Sequence, residues 1–352
     1  MKLKNKEIAE ILGISTTAVS LAINNRPGVS QETRAQVLKL LNDSLNETTS
    51  PFPTQKNTAS AGGNFKGTML MSVHKKTGAV INDKPFFSEL VEYAQQQAMA
   101  MSYLFSIANY LPGQDLGSYM DYIRSMNPSG IIVMATEMDE DDLRAYQSLD
   151  LPLVIVDATF DLGDVDTVSL DNQTAIYRAF NYAYGMGHRE IGFLKSSFPI
   201  QNFEHHMDGF VKGLRQWDLM DGNHPVITLS PYIEQAKADM DRFLDDLPDD
   251  FKMPTLFLAD LDYLALGAMK SLQDHGYRVP EDVSVIGYDD VPAAAISNPP
   301  LTTTRVNHGD SGRIAATVLA DIIEKKDRGF RSYTQISSQL VIRESVKNLN
   351  LR

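Results

Sequence analysis

The sequence predicts a small all-α head followed by an α/β body of two doubly wound parallel-sheet lobes. Three observations carry this. The first 43 residues hold three short apolar stripes at helical spacing. A stretch rich in Ser, Thr, Asn, Pro and Gly then interrupts all periodicity. After it, short apolar runs alternate with helical segments to the end of the chain, the pattern of parallel strands covered on both faces.

In the head, Ile8, Ile11 and Leu12 form one stripe, Ala18, Val19, Ala22 and Ile23 a second, and Val37, Leu38, Leu40 and Leu41 a third. Gly13 stands where a left-handed C-terminal residue belongs. Ser15 is placed to cap the second helix and Ser30 the third. The turn between the first two helices is therefore only "GIS", which is helix-turn-helix spacing. Residues 44–66 read as a flexible linker, spanning roughly 25 Å root-mean-square as a coil. The body is 67–352.

Eight strands are expected in the body: 67–73, 102–108, 130–135, 151–157, 190–196, 224–230, 254–260 and 283–289. Helices are expected over 86–101, 115–126, 173–187, 203–217, 233–247 and 263–276. So many units exceed one ordinary open sheet, which points to two lobes.

Composition agrees with a globular chain. Of 352 residues, 43% are hydrophobic and 22% charged. There is no cysteine, which removes disulfides, thiolate metal sites and a Cys nucleophile. No signal peptide and no run of 18 apolar residues is visible, so a cytoplasmic protein is expected. The net charge is −13, but residues 1–46 carry six basic and four acidic groups. A slightly basic head on a strongly acidic body suits a small polyanion-binding module attached to something else.

The motifs add up to a resemblance. "KEIAEILGIS", "TTAVSLAIN" and "GVSQETRAQVLKLL" in the head resemble the helix-turn-helix of the lac/gal repressor family of bacterial transcription factors. In the body, "PFFSELV", "GHREIGFL", "LALGAMKSL", "RVPEDVSVIGYDDVP", "PPLTTTRVN" and "LVIRES" stand in that family's order. The resemblance covers nearly the whole chain except the linker. It implies a periplasmic-binding-protein-like body whose lobes close on a small molecule, with crossovers near 160–165, 290–298 and 325–332.

For the head, it implies a recognition helix over 15–23 lying in the major groove of double-stranded operator DNA. Thr16, Thr17 and Leu21 would face base edges, and Ser20, Asn24 and Arg26 phosphates. Many relatives have Arg where this chain has Leu21, so an apolar contact, and a different half-site, is expected. The linker lacks the family's basic, Ala/Leu-rich hinge motif, and Pro51 and Pro53 oppose a helix around Phe52. Either a degenerate hinge helix forms on DNA or there is none.

For the body, the resemblance implies an effector site at the C-terminal strand ends. Its candidates are Asp83, Phe86, Phe87, Asn109, Asp157, Asp171, His206, Tyr232 and Asp262, with Tyr110 and Asn172 beside them. Phe86 and Phe87 could stack on a ring, or one could be core. His206 replaces a family Arg, and Ala158 stands where Arg is frequent. Losing two guanidinium forks argues against a phosphorylated or carboxylated effector and favours a neutral sugar or glycoside. Adjacent His205 and His206 point about 100° apart on a helix, so no metal is expected, and no cofactor.

An enzyme on a doubly wound sheet is the competing class. No phosphate loop, GxGxxG or GxSxG motif supports it. Further readings are a ligand sensor with weakened operator specificity and a regulator using a protein corepressor. A homodimer is expected, because two half-sites need two recognition helices. Leu90, Ala94 and Ala98 on the helix 86–101 form one candidate interface.

Overall fold

The computed structural model describes residues 8, 9, 12, 14–23, 29, 33 and 37 of the head. In the body it describes 65–78, 86–160, 163–248, 250–325 and 328–351. For residues 20–23 and 86 this means the backbone alone. The linker reading for 44–64, Gly13 and Ser30 lie outside these residues. The chain divides into two compact units, Met1–Gly63 and Asn64–Arg352.

In the first unit, helix α1 spans Thr16–Ile23. Ser15 Oγ accepts the Ala18 N–H at 3.1 Å, meeting one of the orphan donors of the first turn. Ile8, Ala9, Val19 and Val37 form its buried core, with Leu12, Ile14 and Val29 against them.

The second unit holds two sheets. The first joins β1 (Thr68–His74), β2 (Leu104–Tyr110), β3 (Gly130–Met134), β4 (Leu153–Val156), β5 (Asp166–Leu170) and β11 (Tyr333–Ile336), in the order β11-β5-β4-β3-β1-β2. The second joins β6 (Ile191–Ser196), β7 (Val226–Leu229), β8 (Leu256–Ala259), β9 (Ser284–Asp289), β10 (Thr302–Arg305) and β12 (Gln339–Val341), in the order β12-β10-β9-β8-β6-β7. All pairings are parallel except β10 with β12.

Helices cover both faces of each sheet, as parallel strands require. Alternate β1 residues divide the first lobe's core. Met69, Met71 and Val73 face α2 (Phe86–Ala100) and α10 (His308–Lys325). Leu70 faces α3 (Leu116–Ser125) and α4 (Glu140–Gln147). In the second lobe, α5 (Asn172–Gly185) and α6 (Gln201–Gln216) cover one face, and α7 (Ile233–Asp245) and α8 (Asp262–Asp274) the other. The short helix α9 (Pro292–Ile296) follows β9. Among the described residues, no helix is long and apolar enough to cross a membrane.

Two expectations need correction. The three crossovers run through 170–172, 305–308 and 336–339, each later than expected. The cause is unrecognised strands. "DTVSL", "TTTR" and "YTQI" are too polar to read as buried strands, yet each completes a sheet before the chain changes lobe. Secondly, Leu90, Ala94 and Ala98 are fully buried and not available to a partner. They pack against α10 of the same chain, so closely that a Cβ on Gly312 would lie 2.0 Å from the Leu90 carbonyl oxygen. Small residues on both helices permit that approach.

Candidate functional site

In the head unit, Thr16 and Thr17 are exposed at the start of α1, while Val19 turns inward to the core. The side chains of Ser20 and Leu21, and all of Asn24 and Arg26, lie outside the described residues.

In the body, the C-terminal ends of both sheets meet around a cavity of about 30 Å³. That is room for a water molecule and far too small for a sugar. The first lobe contributes Phe87, Thr136, Asp157 and Leu170. The second contributes Asn172, Ile200, Asn202, Phe203, His206, Leu261, Tyr288 and Asp289, and His308 stands on the second crossover. No Lys or Arg occurs among these lining residues.

Polar contacts knit the wall. Asp157 sits just past β4 with φ +66°, a left-handed geometry that is costly for a non-glycine residue. Its Oδ2 accepts the Thr136 hydroxyl at 2.5 Å. Asn202, in the first turn of α6, reaches across from the other lobe and donates Nδ2–H to Asp157 Oδ1 at 3.2 Å. Beside it, Gln201 Oε1 accepts the Thr159 N–H at 2.8 Å. These bonds hold the lobes together at the cavity mouth. On the floor, the Tyr288 hydroxyl donates to Asn172 Oδ1 at 2.6 Å. Burial pushes that phenol well above its ordinary pKa, helped by the charges of Asp289, Asp157, Asp171 and Asp260.

Behind the wall, His206 Nδ1 lies 3.1 Å from Asp260 Oδ1, and Asp260 Oδ2 accepts the Ser196 N–H at 2.6 Å. Both side chains are buried. Burial raises the Asp260 carboxyl above the usual range, while His206, the Ser196 amide and Lys195 pull it back.

Of the residues singled out in the sequence, the structure brings Phe87, Asp157 and His206 together, with Asn172 beside them. Asp171 is instead the N-cap of α5, accepting the Thr174 N–H at 3.2 Å. Asn109 is exposed on the edge strand β2, and Tyr110 stacks on His74 within the first lobe. Tyr232 is 43% exposed ahead of α7. Neither Asn109, Tyr110 nor Tyr232 reaches the cavity wall. Asp262 is fully buried away from it, one oxygen taking the Thr303 hydroxyl at 2.5 Å and the other the Val291 N–H at 2.8 Å. Asp83 and the Phe86 side chain lie outside the described residues.

Sequence reasoning missed Thr136, Asn202, Tyr288, Asp289, His308 and Asp260. A signal existed for two of them. Thr136 lies just past the C-terminal end of β3 and Asp289 ends β9, the same logic that singled out Asp157. Asp260 could be told from Asp262 only by knowing which carboxylate faces His206.

Residues 180–346 match the family described as periplasmic binding protein-like domain. The chain is 28% identical to the HTH-type transcriptional repressor PurR of Haemophilus influenzae, over 98% of each chain. It is 29% identical to the repressor of the same name from Mannheimia succiniciproducens, again over 98% of each. Among solved structures, it is similar to the transcriptional regulator CelR in complex with cellobiose, with TM-score 0.70 and 21% identity over 97% of this chain and 99% of that one. It is also similar to the lac repressor dimer bound to operator and the anti-inducer ONPF, with TM-score 0.68 and 18% identity over 99% of this chain and 100% of that one. At these identities the structural likeness speaks for the fold.

Proposed function

We propose that this chain is a member of the lac/gal repressor family of bacterial transcriptional regulators, a DNA-binding transcriptional repressor controlled by a ligand held between its lobes. The observation that carries this is the kinship to helix-turn-helix repressors along 98% of both chains, head and body together. In this reading Thr16, Thr17 and Leu21 meet base edges, while Ser20, Asn24 and Arg26 meet phosphates. The protein acts as a cytoplasmic homodimer, has no catalytic role and needs no cofactor. The exposed apolar residues of edge strand β2, Leu104 on one side of the sheet and Ile107 on the other, with Met99 near the end of α2, offer an edge for a second copy.

The effector is a neutral sugar or glycoside. The wall supports this with the amides of Asn172 and Asn202, the carboxylates of Asp157 and Asp289, and the rings of Phe87, Phe203 and Tyr288. Amides and carboxylates bind hydroxyls, and rings cover the apolar sugar face. The absence of Lys and Arg among the lining residues disfavours phosphate. The lobes must part to admit such a ligand, breaking the Asn202–Asp157 bond across the mouth.

The test is thermal unfolding with and without cellobiose, ribose and ribose 5-phosphate, followed by operator binding at each ligand's saturating concentration. A neutral sugar that raises the midpoint, leaves unchanged sugar in solution and alters operator affinity supports the reading. Stabilisation by the phosphorylated sugar alone contradicts the effector class. Turnover of any sugar contradicts the non-enzymatic assignment.

A further inference from the structure

His206 occupies the second turn of α6, 2% exposed, with its ring 4.2 Å from that of Tyr288 and 5.7 Å from that of Phe203. Its Nδ1 faces Asp260 at 3.1 Å. Its Nε2 is buried and has no hydrogen-bond partner among the described residues, although the side chain lines the cavity. A buried polar atom left unmet is costly, and native structures retain few without a reason.

The surroundings decide which way this atom bonds. Asp260 is fully buried and anchored by the Ser196 amide, so its remaining oxygen acts as an acceptor toward the imidazole. A carboxylate behind one imidazole nitrogen places the proton there and leaves a lone pair on the other. Nε2 therefore presents an acceptor to the cavity. Three wall donors are engaged elsewhere: the Tyr288 hydroxyl by Asn172, and the Thr136 hydroxyl and the Asn202 amide by Asp157.

We propose that His206 is a specificity-determining residue whose Nε2 accepts a hydrogen bond from an O–H or N–H donor on the ligand, with Asp260 acting through it as a positioning residue. The inference rests on the cleft being the effector site and names the chemistry of one end of the ligand. That end is an uncharged donor, a hydroxyl or a ring N–H. A phosphate or carboxylate oxygen there would set acceptor against acceptor and is rejected. A ligand lacking the donor loses roughly 10- to 100-fold in affinity, because Nε2 then stays desolvated and unmet.

The test uses full-length protein labelled with ¹⁵N at its seven histidines. Long-range proton–nitrogen spectra report which ring nitrogen carries the proton, and His206→Asn identifies the resonances. Asn at 206 can still donate to Asp260 but has no atom at the Nε2 position, so the variant is designed to fold. Without ligand, a bare Nε2 and a protonated Nδ1 are expected at neutral pH. A protonated Nε2 in the free protein overturns the proposal directly. Cellobiose, ribose and adenine are then titrated, separating hydroxyl from ring N–H donors. The member that raises the unfolding midpoint should shift Nε2 toward a hydrogen-bonded value and lose roughly 10- to 100-fold in affinity with His206→Asn. Asp260→Asn should release the fixed tautomer in the same spectra. A stabilising member that leaves Nε2 unmoved, or a panel with no stabilising member, defeats the ligand role of His206. If that member is also insensitive to Asp157→Asn and Phe87→Ala, the cleft reading itself has failed, which the tautomer result distinguishes.

Discussion

Arg343 Nη2 lies 2.5 Å from Asp290 Oδ1, so a residue near the end of the chain grips the turn that carries Asp289 into the cavity. The turn needs gripping. Asp289 and Asp290 both have positive φ, +112° and +60°, a pairing that local sterics disfavour. Arg305 Nε holds the other Asp290 oxygen at 2.7 Å, and Asp262 holds the Val291 amide. Arg305 begins the second crossover and Arg343 follows the third, so the turn is tied to two of the connections between the lobes.

The two arginines should not be equivalent. Arg343 is 16% exposed and also donates to the Leu301 carbonyl at 2.7 Å, whereas Arg305 is 55% exposed. Arg343→Ala leaves a nearly buried carboxylate with one solvated partner, and a loss of roughly 1–3 kcal/mol is expected. Arg305→Ala should cost less than about 1 kcal/mol. Urea unfolding of the two variants, measured side by side, checks the order.

Asp262 should impose a pH dependence. Burial pushes its carboxyl up to about 7 in the folded protein, against an ordinary value of 3.8. The native state thus keeps a proton that the unfolded chain releases between about pH 4 and 7. Its contribution to stability is complete below about pH 4 and lost as pH rises through about 7, a change of roughly 2–4 kcal/mol. Asp262→Asn should flatten that part of a stability-versus-pH curve. An unchanged slope in the variant assigns the dependence to another group.

His188 should act in the opposite sense. Buried, with its ring nitrogens near the Thr255 hydroxyl and the Lys347 carbonyl, it has a pKa lowered to about 4. The unfolded chain takes up a proton below about pH 6.5 that the native ring resists, so stability is lost as pH falls from about 6.5 toward 4. Over this range the loss opposes the gain from Asp262, and His188→Gln should raise stability toward pH 4 relative to the wild type.

Gly312→Ala should be destabilising by roughly 1–3 kcal/mol despite the better helix propensity of alanine. The added methyl would meet backbone, the Leu90 carbonyl, and neither helix can yield without opening the first lobe's core. Thermal unfolding reads this directly. A rise in midpoint would mean that α2 and α10 pack less closely than described.

The sequence made the apolar strands legible because "GIIVM" and "LFLA" are buried on both faces and therefore hydrophobic throughout. It hid β5, β10 and β11, which are too polar to read as strands although some of their polar side chains are paired inside the fold. Asp166 in β5, for one, is held by Arg328 and by the Ser332 amide and hydroxyl. The crossovers were displaced for that reason. In the site, Asp157 was legible as an acid at a strand end, while Asp289 depends on two strained dihedrals that no composition reveals. The face of Leu90, Ala94 and Ala98 was legible as apolar, but what covers it, a partner or α10, is a matter of tertiary structure.

The proposed repressor function depends on sequence-specific operator binding. The most direct measurement is selection of genomic fragments by the purified full-length protein at near-physiological salt, with the selected fragments then footprinted. A short pseudo-palindromic footprint, lost in Thr17→Ala or Leu21→Arg, is the predicted result. Uniform weak binding that disappears with added salt would leave only phosphate contacts, contradict the repressor assignment and make the protein a ligand sensor without operator specificity.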